Sequence, residues 1–460
     1  MDDQRPKIQK YLAFPQEDRD EVPGGLRGGS ETSAAKRGPD RPAEFEKLME
    51  EVCERRNLEE ALRRVRANKG APGADGMTVD ELETHLWQHW PAIRDQLLNG
   101  TYQPQPVRRK EISKPDGGVR KLGIPTVLDR FIQQAVLQVL QRRWDHKFSP
   151  RSYGFRPGRS AHQAVAAVQG FIAEGFRWVV DLDLEKFFDR VNHDILMGRI
   201  ANRIDDPRLL RLIRAFLNAG VLAEGLVSPV DEGTPQGGPL SPLLSNIVLD
   251  DLDRELTRRG LRFARYADDC NIYVRSRRAG ERVMASVTRF LATQLKLKVN
   301  EAKSAVARPW ERKFLGFSFT IHRQPKRRIA PQALERFKKK IRELTRRTRG
   351  VSLQQMVAKL SQYLQGWRGY FRACDTPSVL QGLDSWVHRR LRAFLWKQWR
   401  RGRTRFAELR KRDVSRDLAA RAAGSCHGPW RLSKSPALHI ALPTAFFTSL
   451  GLPRLAPQPA

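Results

Sequence analysis

From about residue 43 to residue 101, apolar side chains recur three and four positions apart, interrupted by the glycine-rich stretch Asn68 to Gly76. Positions with that spacing share one helix face, which predicts an N-terminal helical extension over residues 44–105. Thr78 followed by Glu81 has the form of a capping box and marks the expected start of a later helix in it. Between about residues 107 and 320, short strand-like runs at 178–184, 271–274 and 314–320 alternate with helical stretches, predicting an α+β region assigned to 106–325. After Pro331 the period is helical again. Leu334, Phe337, Ile341 and Leu344, then Val357, Leu360, Leu364, Trp367 and Phe371, step by three and four, and Ser352 with Gln355 supplies a second capping box. An all-α domain is expected over 326–405, followed by a basic segment over 406–460. Residues 1–43 mix Gly, Pro, Arg, Glu and Ser without apolar period, cannot repay the entropy of ordering, and are expected to form a disordered tail.

Charge narrows the partner. The 84 Lys and Arg outnumber the 51 Asp and Glu, leaving a formal charge of +33. Such a field attracts polyphosphates, so nucleic acid leads. No stretch approaches the ~20 apolar residues of a spanning helix, so no membrane partner is expected. The first ten residues are charged where a secretory signal would be apolar, which predicts an intracellular, cytoplasmic protein. Cys53, Cys270, Cys374 and Cys426 lie far apart and make no zinc or redox pair, so reduced thiols are expected.

Two alternating runs flank Tyr266-Ala267-Asp268-Asp269, which would place the acids at a hairpin tip. Taken alone this is a surface turn, since Asp is a favoured turn residue. A second segment, Val179 to Asp189, is an apolar strand that ends in acids, and a carboxylate at a strand end can meet one from a neighbouring hairpin. Gathered carboxylates repel unless a cation lies between them. Mg²⁺ takes one or two carboxylates plus phosphate oxygens, and two such ions ~3.5–4 Å apart clamp the oxygens of phosphoryl transfer.

These residues resemble a known family. Asp183 with Phe188, the Gly233-Thr234-Pro235-Gln236-Gly237-Gly238-Pro239-Leu240-Ser241-Pro242 segment, Tyr266-Ala267-Asp268-Asp269, and Phe314-Leu315-Gly316-Phe317 fall in the order of the palm motifs of group II intron reverse transcriptases, also called maturases. Lys114 to Gly118 leading to Arg120 to Thr126, then Ser152 to Gly158, are similar to the family's fingers. Leu364 to Phe371 and the helix from Asp384 to Arg392 are similar to its thumb and maturase domain. The resemblance runs from about Asn57 to the C-terminus. It implies a right-hand polymerase fold of fingers and palm followed by an all-α thumb and maturase domain. It also implies two Mg²⁺ ions, group II intron RNA, an RNA template with a DNA primer, deoxynucleoside triphosphates, and a bacterial cytoplasmic setting. A homodimer is compatible with the sequence.

The resemblance implies roles residue by residue. Asp183 and Asp268 match the metal-bridging aspartates, Asp269 the second acid of the turn, and the Leu184 carbonyl would complete one ion's shell. Lys114 and Arg120 match residues that grip the triphosphate, where a cation offsets charge developing on the leaving group. Phe188 matches an aromatic gate against a 2′-hydroxyl, although Phe at a strand end is ordinarily core. Gln236 could bond the nucleotide from a loop whose glycines allow close approach. Lys303 matches a residue near the departing pyrophosphate, and a solvated helix face is the plain alternative. Phe314, Leu315, Gly316 and Phe317 match the primer grip, which is also readable as an apolar strand. Arg156, Arg336, Lys338, Lys339, Lys340, Arg368, Arg389, Arg390 and Arg392 are candidate primer or RNA contacts, while core packing is expected for most of the tryptophans of the helical region, Trp367, Trp386, Trp396 and Trp399.

No Cys or His cluster follows the Cys426 to Trp430 segment, so the HNH endonuclease of many relatives is not expected, as in the short bacterial form. The rival reading is a splicing-only maturase that has lost polymerisation. Its hallmark would be a missing acid at 183 or 268, and both are present. A metal-dependent nuclease would have no use for the Gln236 loop or the aromatic gate.

Overall fold

The computed structural model describes residues 47–113, 118–223, 226–228, 232–234, 237–348 and 350–457. The expected tail at 1–43, Lys114 and Gln236 lie outside them.

The periodic N-terminal stretch folds as α1 (Leu48–Val52), α2 (Arg55–Asn68) and α3 (Leu82–Asn99). The residues that carry the period are the buried ones: Leu58, Leu62 and Val65 on α2, and Leu86, Ile93 and Leu97 on α3. Each such side chain contributes about 1.5–3 kcal/mol relative to exposure. The Glu81 carboxylate accepts from both the amide and the hydroxyl of Thr78, at 2.7 and 2.8 Å. Because α3 begins at Leu82, these bonds close a turn ahead of the helix instead of capping it.

The α+β stretch follows as β1 (Val107–Ser113), β2 (Val119–Ile124), α4 (Val127–Trp144), α5 (Ala161–Ala173), β3 (Trp178–Leu182), α6 (His193–Ala201), α7 (Pro207–Asn218), β4 (Val221–Ala223), β5 (Leu226–Ser228), α8 (Ser241–Arg258), β6 (Arg262–Tyr266), β7 (Asp269–Val274), α9 (Arg277–Gln294), β8 (Ala305–Ala307), β9 (Phe317–Phe319) and β10 (Arg327–Ile329). One four-stranded sheet has the order β2-β1-β4-β5, with β1 antiparallel to β2 and parallel to β4. A second has the order β6-β7-β3-β8, and β9 pairs with β10. From Pro331 the chain is helical, with α10 (Pro331–Leu344), α11 (Leu353–Phe371), α12 (Pro377–Gln398) and shorter helices to Ser449. Ser352 and Gln355 form the expected capping box on α11.

The chain divides into two compact units that do not follow these linear segments. Unit 1 holds residues up to Ser160, Val180–Ile272 and Glu281–Ala305, and unit 2 holds Ala161–Val179, Tyr273–Gly280 and Val306–Ala460. Side-chain contacts inside unit 2 show why α5 belongs to it. Phe171 packs on Tyr273 with ring centroids 5.9 Å apart, and Gln169 donates to Asp375 Oδ2 at 3.1 Å.

Candidate active site

In unit 1 the carboxylates sit where two neighbouring strands meet the surface. Asp183 directly follows β3, Asp268 lies in the turn between β6 and β7, and Asp269 opens β7. All three are half-buried. In the orientation that satisfies both of its side-chain atoms, the Asn271 amide turns its nitrogen toward β3 and donates to Asp181 Oδ1 at 2.9 Å. Beyond β3 the chain is pinned to the segment before β8. The Asn300 amide donates to the Asp183 carbonyl at 2.8 Å and the Glu185 amide to the Lys298 carbonyl at 2.8 Å. These bonds flank the antiparallel bridge between Leu184 and Val299, so the Leu184 carbonyl itself is not used by that pairing. The Asp183 amide donates to Ser304 Oγ at 3.0 Å.

The Asp268 turn rests on buried polar groups that the sequence reading did not single out. Arg265, fully buried, pairs with the equally buried Asp253 on α8 and also reaches Asn246, Ser152 and the Ala267 carbonyl. Burial pushes the Arg265 guanidinium down, but the Asp253 charge and hydrogen bonds outweigh it and leave the group held above its usual value. Burial pushes the Cys270 thiol up, so this neighbour of the turn stays a neutral thiol. The signal for Arg265 in the sequence was an arginine between Ala264 and Tyr266, within the strand run Arg262 to Tyr266. Among the described residues, no group of three or more His, Cys, Asp and Glu side chains is gathered as a metal site.

Phe188 is half-buried while its neighbour Phe187 is the core residue at 2% exposure. Their rings meet edge to face with centroids 5.2 Å apart. The Thr234 amide donates to the Phe188 carbonyl at 2.6 Å, and Gly233 approaches so closely that a Cβ there would lie 2.8 Å from the same oxygen. Thus the described part of the Gly/Pro-rich loop fixes the main chain of Phe188. Gly237 and Gly238 pack against the Gly123 carbonyl and the Gln133 side chain. Arg120 lies on β2 with its backbone opposite Ile112. Lys303 is exposed in the turn after Asn300.

In unit 2, Phe314 and Phe317 are core residues and pair across a tight turn made by Leu315 and Gly316, both at positive φ. The Tyr370 hydroxyl donates to the Leu315 carbonyl at 2.8 Å. Beside this turn is a cleft of about 470 Å³ lined by Leu315, Gly316, Arg336, Tyr363, Trp367 and Tyr370. Lys339 and Arg368 are exposed, Lys338 is half-buried, and Lys340 pairs with Glu343 at 3.2 Å. Of the tryptophans in the helical region, Trp396 and Trp399 are core, whereas Trp367 and Trp386 are half-buried and Trp430 is exposed, so core packing holds for fewer of them than expected.

Two expected nucleic-acid contacts are corrected. Arg156 is buried, and its guanidinium is committed to Asp145 at 2.8 Å and to the carbonyls of Ser149, Ser152 and Asp145. It staples its own loop. Arg392 is buried, donates to the Leu442 carbonyl at 2.9 Å, and has its guanidinium pushed down by burial. Both lack the exposure a phosphate contact needs. Arg389 and Arg390 are partly committed as well, Arg389 over the Trp430 ring at 3.8 Å and Arg390 to Thr345 Oγ1 at 2.6 Å.

Residues 112–319 match the family model for reverse transcriptase (RNA-dependent DNA polymerase), and residues 334–412 match that for the group II intron maturase-specific domain. Protein YkfC of Escherichia coli is 34% identical over 324 residues, covering 62% of this chain and 84% of YkfC. The group II intron-encoded protein LtrA of Lactococcus lactis subsp. cremoris is 40% identical over 200 residues, covering 43% of this chain and 33% of LtrA. An uncharacterized 91 kDa protein in the cob intron of Schizosaccharomyces pombe is 36% identical over 179 residues, covering 39% of this chain and 21% of that protein.

Proposed function

The chain belongs to the family of group II intron-encoded reverse transcriptases and maturases, with an RNA-directed DNA polymerase domain followed by a maturase domain, and we propose that it copies structured group II intron RNA into cDNA and assists the intron's splicing and mobility. Among the described residues no helix is long and apolar enough to cross a membrane.

The observation that carries the catalytic reading is the pairing of β3 with β7 beside the Asp181 to Asn271 contact. Asp183 lies two residues beyond that contact on one strand, and Asp269 lies two residues before it on the next. Asp268 adjoins Asp269 in the turn that leads into β7, so the three acids belong to two neighbouring strands of one sheet. Polymerases of this family use divalent metal ions. The donor set here suits a hard cation: ionised carboxylates, plus a Leu184 carbonyl left unused by its strand pairing. Asp183, Asp268 and the Leu184 carbonyl would hold two Mg²⁺ ions, with Asp269 contributing charge or a further oxygen. When bound, such ions stabilise the attacking and leaving oxygens of nucleotidyl transfer.

The chain's own residues then position the substrates. Phe188, with its backbone held by Thr234, would lie under the sugar and select deoxynucleoside triphosphates. Lys114, Arg120, Gln236 and Lys303 are assigned to the nucleotide on the resemblance alone. In unit 2 the Leu315 to Gly316 turn and its aromatic cleft, with Arg336, Lys338, Lys339, Lys340, Arg368, Arg389 and Arg390, offer stacking and phosphate contacts to primer and RNA. A homodimer is part of the proposal only as a state to be measured.

The test is cDNA synthesis from a DNA primer on an RNA template with Mg²⁺. Asp268→Ala is expected to abolish synthesis while RNA binding is retained. Undiminished synthesis by that variant would overturn the assignment.

A further inference from the structure

We propose that Arg265 and Gly154 are positioning residues that clamp the main chain of the Asp268 turn from two sides. The inference rests on the reading of Asp268 as a catalytic carboxylate.

Arg265 is buried at 0% exposure, and every one of its guanidinium N–H groups is spent. Nε and Nη2 bind the two Asp253 carboxylate oxygens at 2.8 and 2.6 Å. Nη2 also donates to Ser152 Oγ at 2.8 Å. Nη1 donates to Asn246 Oδ1 and to the Ala267 carbonyl, both at 2.9 Å. That last bond seizes the residue immediately before Asp268. Ala267 itself has φ of 57°, a left-handed conformation that an L-residue with a side chain keeps only when its surroundings over-determine it.

Gly154 supplies a second wall. A Cβ at that position would lie 2.2 Å from the Ala267 nitrogen and 2.9 Å from the Tyr266 carbonyl carbon. Its own φ is not in the left-handed region, so the requirement for glycine there is close approach to the turn and not backbone freedom. The two walls are tied together. Asn246 Nδ2 donates to the Gly154 carbonyl at 2.9 Å, and the segment around Ser152 bonds to Arg265 through both backbones, Arg265 N to Arg151 O at 3.0 Å and Tyr153 N to Arg265 O at 2.9 Å.

Stability alone does not call for this arrangement, because a buried ion pair can usually be replaced by apolar groups of similar volume without loss. Apolar groups could not donate to the Ala267 carbonyl. A lysine could not either while also keeping the forked pair with Asp253. What the pair supplies is therefore a fixed donor under the turn, and a misplacement of about 1 Å at a reacting centre can cost on the order of a hundredfold in rate.

The experiment compares full-length wild type, Gly154→Ala, the double variant Arg265→Met with Asp253→Leu, and Asp268→Ala. For each, kcat and KM for deoxynucleotide, RNA affinity, thermal midpoint, and binding of Mn²⁺ to the protein by electron paramagnetic resonance are measured. Gly154→Ala and the double variant are expected to lose about tenfold to a hundredfold in kcat per folded molecule and to bind Mn²⁺ more weakly, with RNA affinity within about twofold of wild type. Wild-type kcat and Mn²⁺ binding in either folded variant, alongside an inactive Asp268→Ala, would overturn the positioning role and leave the catalytic reading standing. An active Asp268→Ala would overturn both. Should the double variant fail to fold, Gly154→Ala alone decides, since it removes no ion pair.

Discussion

Ser304 Oγ accepts the amide of Asp183 at 3.0 Å, from 121 residues further along the chain. With the Asn300 amide on the Asp183 carbonyl at 2.8 Å, the main chain of this aspartate is held on both sides of its Cα. A long-range side-chain bond of this kind contributes about 1 kcal/mol. Ser304→Ala is expected to lower kcat for primer extension roughly three- to tenfold, with only a small fall in thermal midpoint. A wild-type kcat in this variant would show that the carboxylate is held without Ser304.

Phe188 is half-buried with its carbonyl fixed by Thr234, so its ring is presented from a rigid main chain. Phe188→Ala is expected to reduce the preference for deoxy- over ribonucleoside triphosphates by about tenfold or more, on the scale at which a buried steric contact discriminates substrates. The check is the ratio of kcat/KM for the two sugars. Equal discrimination in variant and wild type would remove the gate.

RNA affinity is expected to fall steeply with salt, since the chain carries +33 and the exposed cations of α10 and α11 include Arg336, Lys339 and Arg368. Each single-strand phosphate neutralised contributes about 0.7 log units per tenfold change in salt. Removing Arg336 and Arg368 together should therefore reduce the slope by about one to one and a half units, read from filter binding or anisotropy across a salt series. An unchanged slope would place the RNA elsewhere.

In unit 2, burial pushes the Asp375 carboxyl up, but hydrogen bonds from the Arg327 side chain and amide and from Gln169 outweigh it and hold the group below its usual value. A carboxylate lowered in this way stabilises the fold above its unfolded pKa of about 4, and that stability is lost as pH falls through the folded value. Asp375→Asn is expected to lower the thermal midpoint at pH 7 by an amount equivalent to about 1 kcal/mol or less. The gap to wild type should close as the pH drops below about 4. A gap that stays constant with pH would mean the carboxylate's charge contributes nothing.

Local pattern determined much of this protein. The three- and four-residue apolar steps place the N-terminal helices, α10 and α11, because a helix buries one face whatever it packs against. Alternation places β6 and β7, and motif order points to Asp183 and Asp268 as the acids of interest. Thr78 with Glu81 shows the limit of such signals. Its hydrogen bonds form as the spacing suggests, yet they close a turn and the helix starts only at Leu82.

Only the tertiary structure decided which charged residues face inward. Arg156, Arg265 and Arg392 look alike in a chain with 84 basic residues, but each is buried on partners that sequence spacing does not identify, with Arg392 meeting a carbonyl 50 positions away and Arg265 a serine 113 positions away. The same holds for the compact units, since α5 joins the C-terminal half through Phe171, Gln169 and their distant partners. Periodicity reports a residue's own element. Whether a guanidinium is solvated or desolvated depends on what other elements bring to it, and that is a property of the assembled chain.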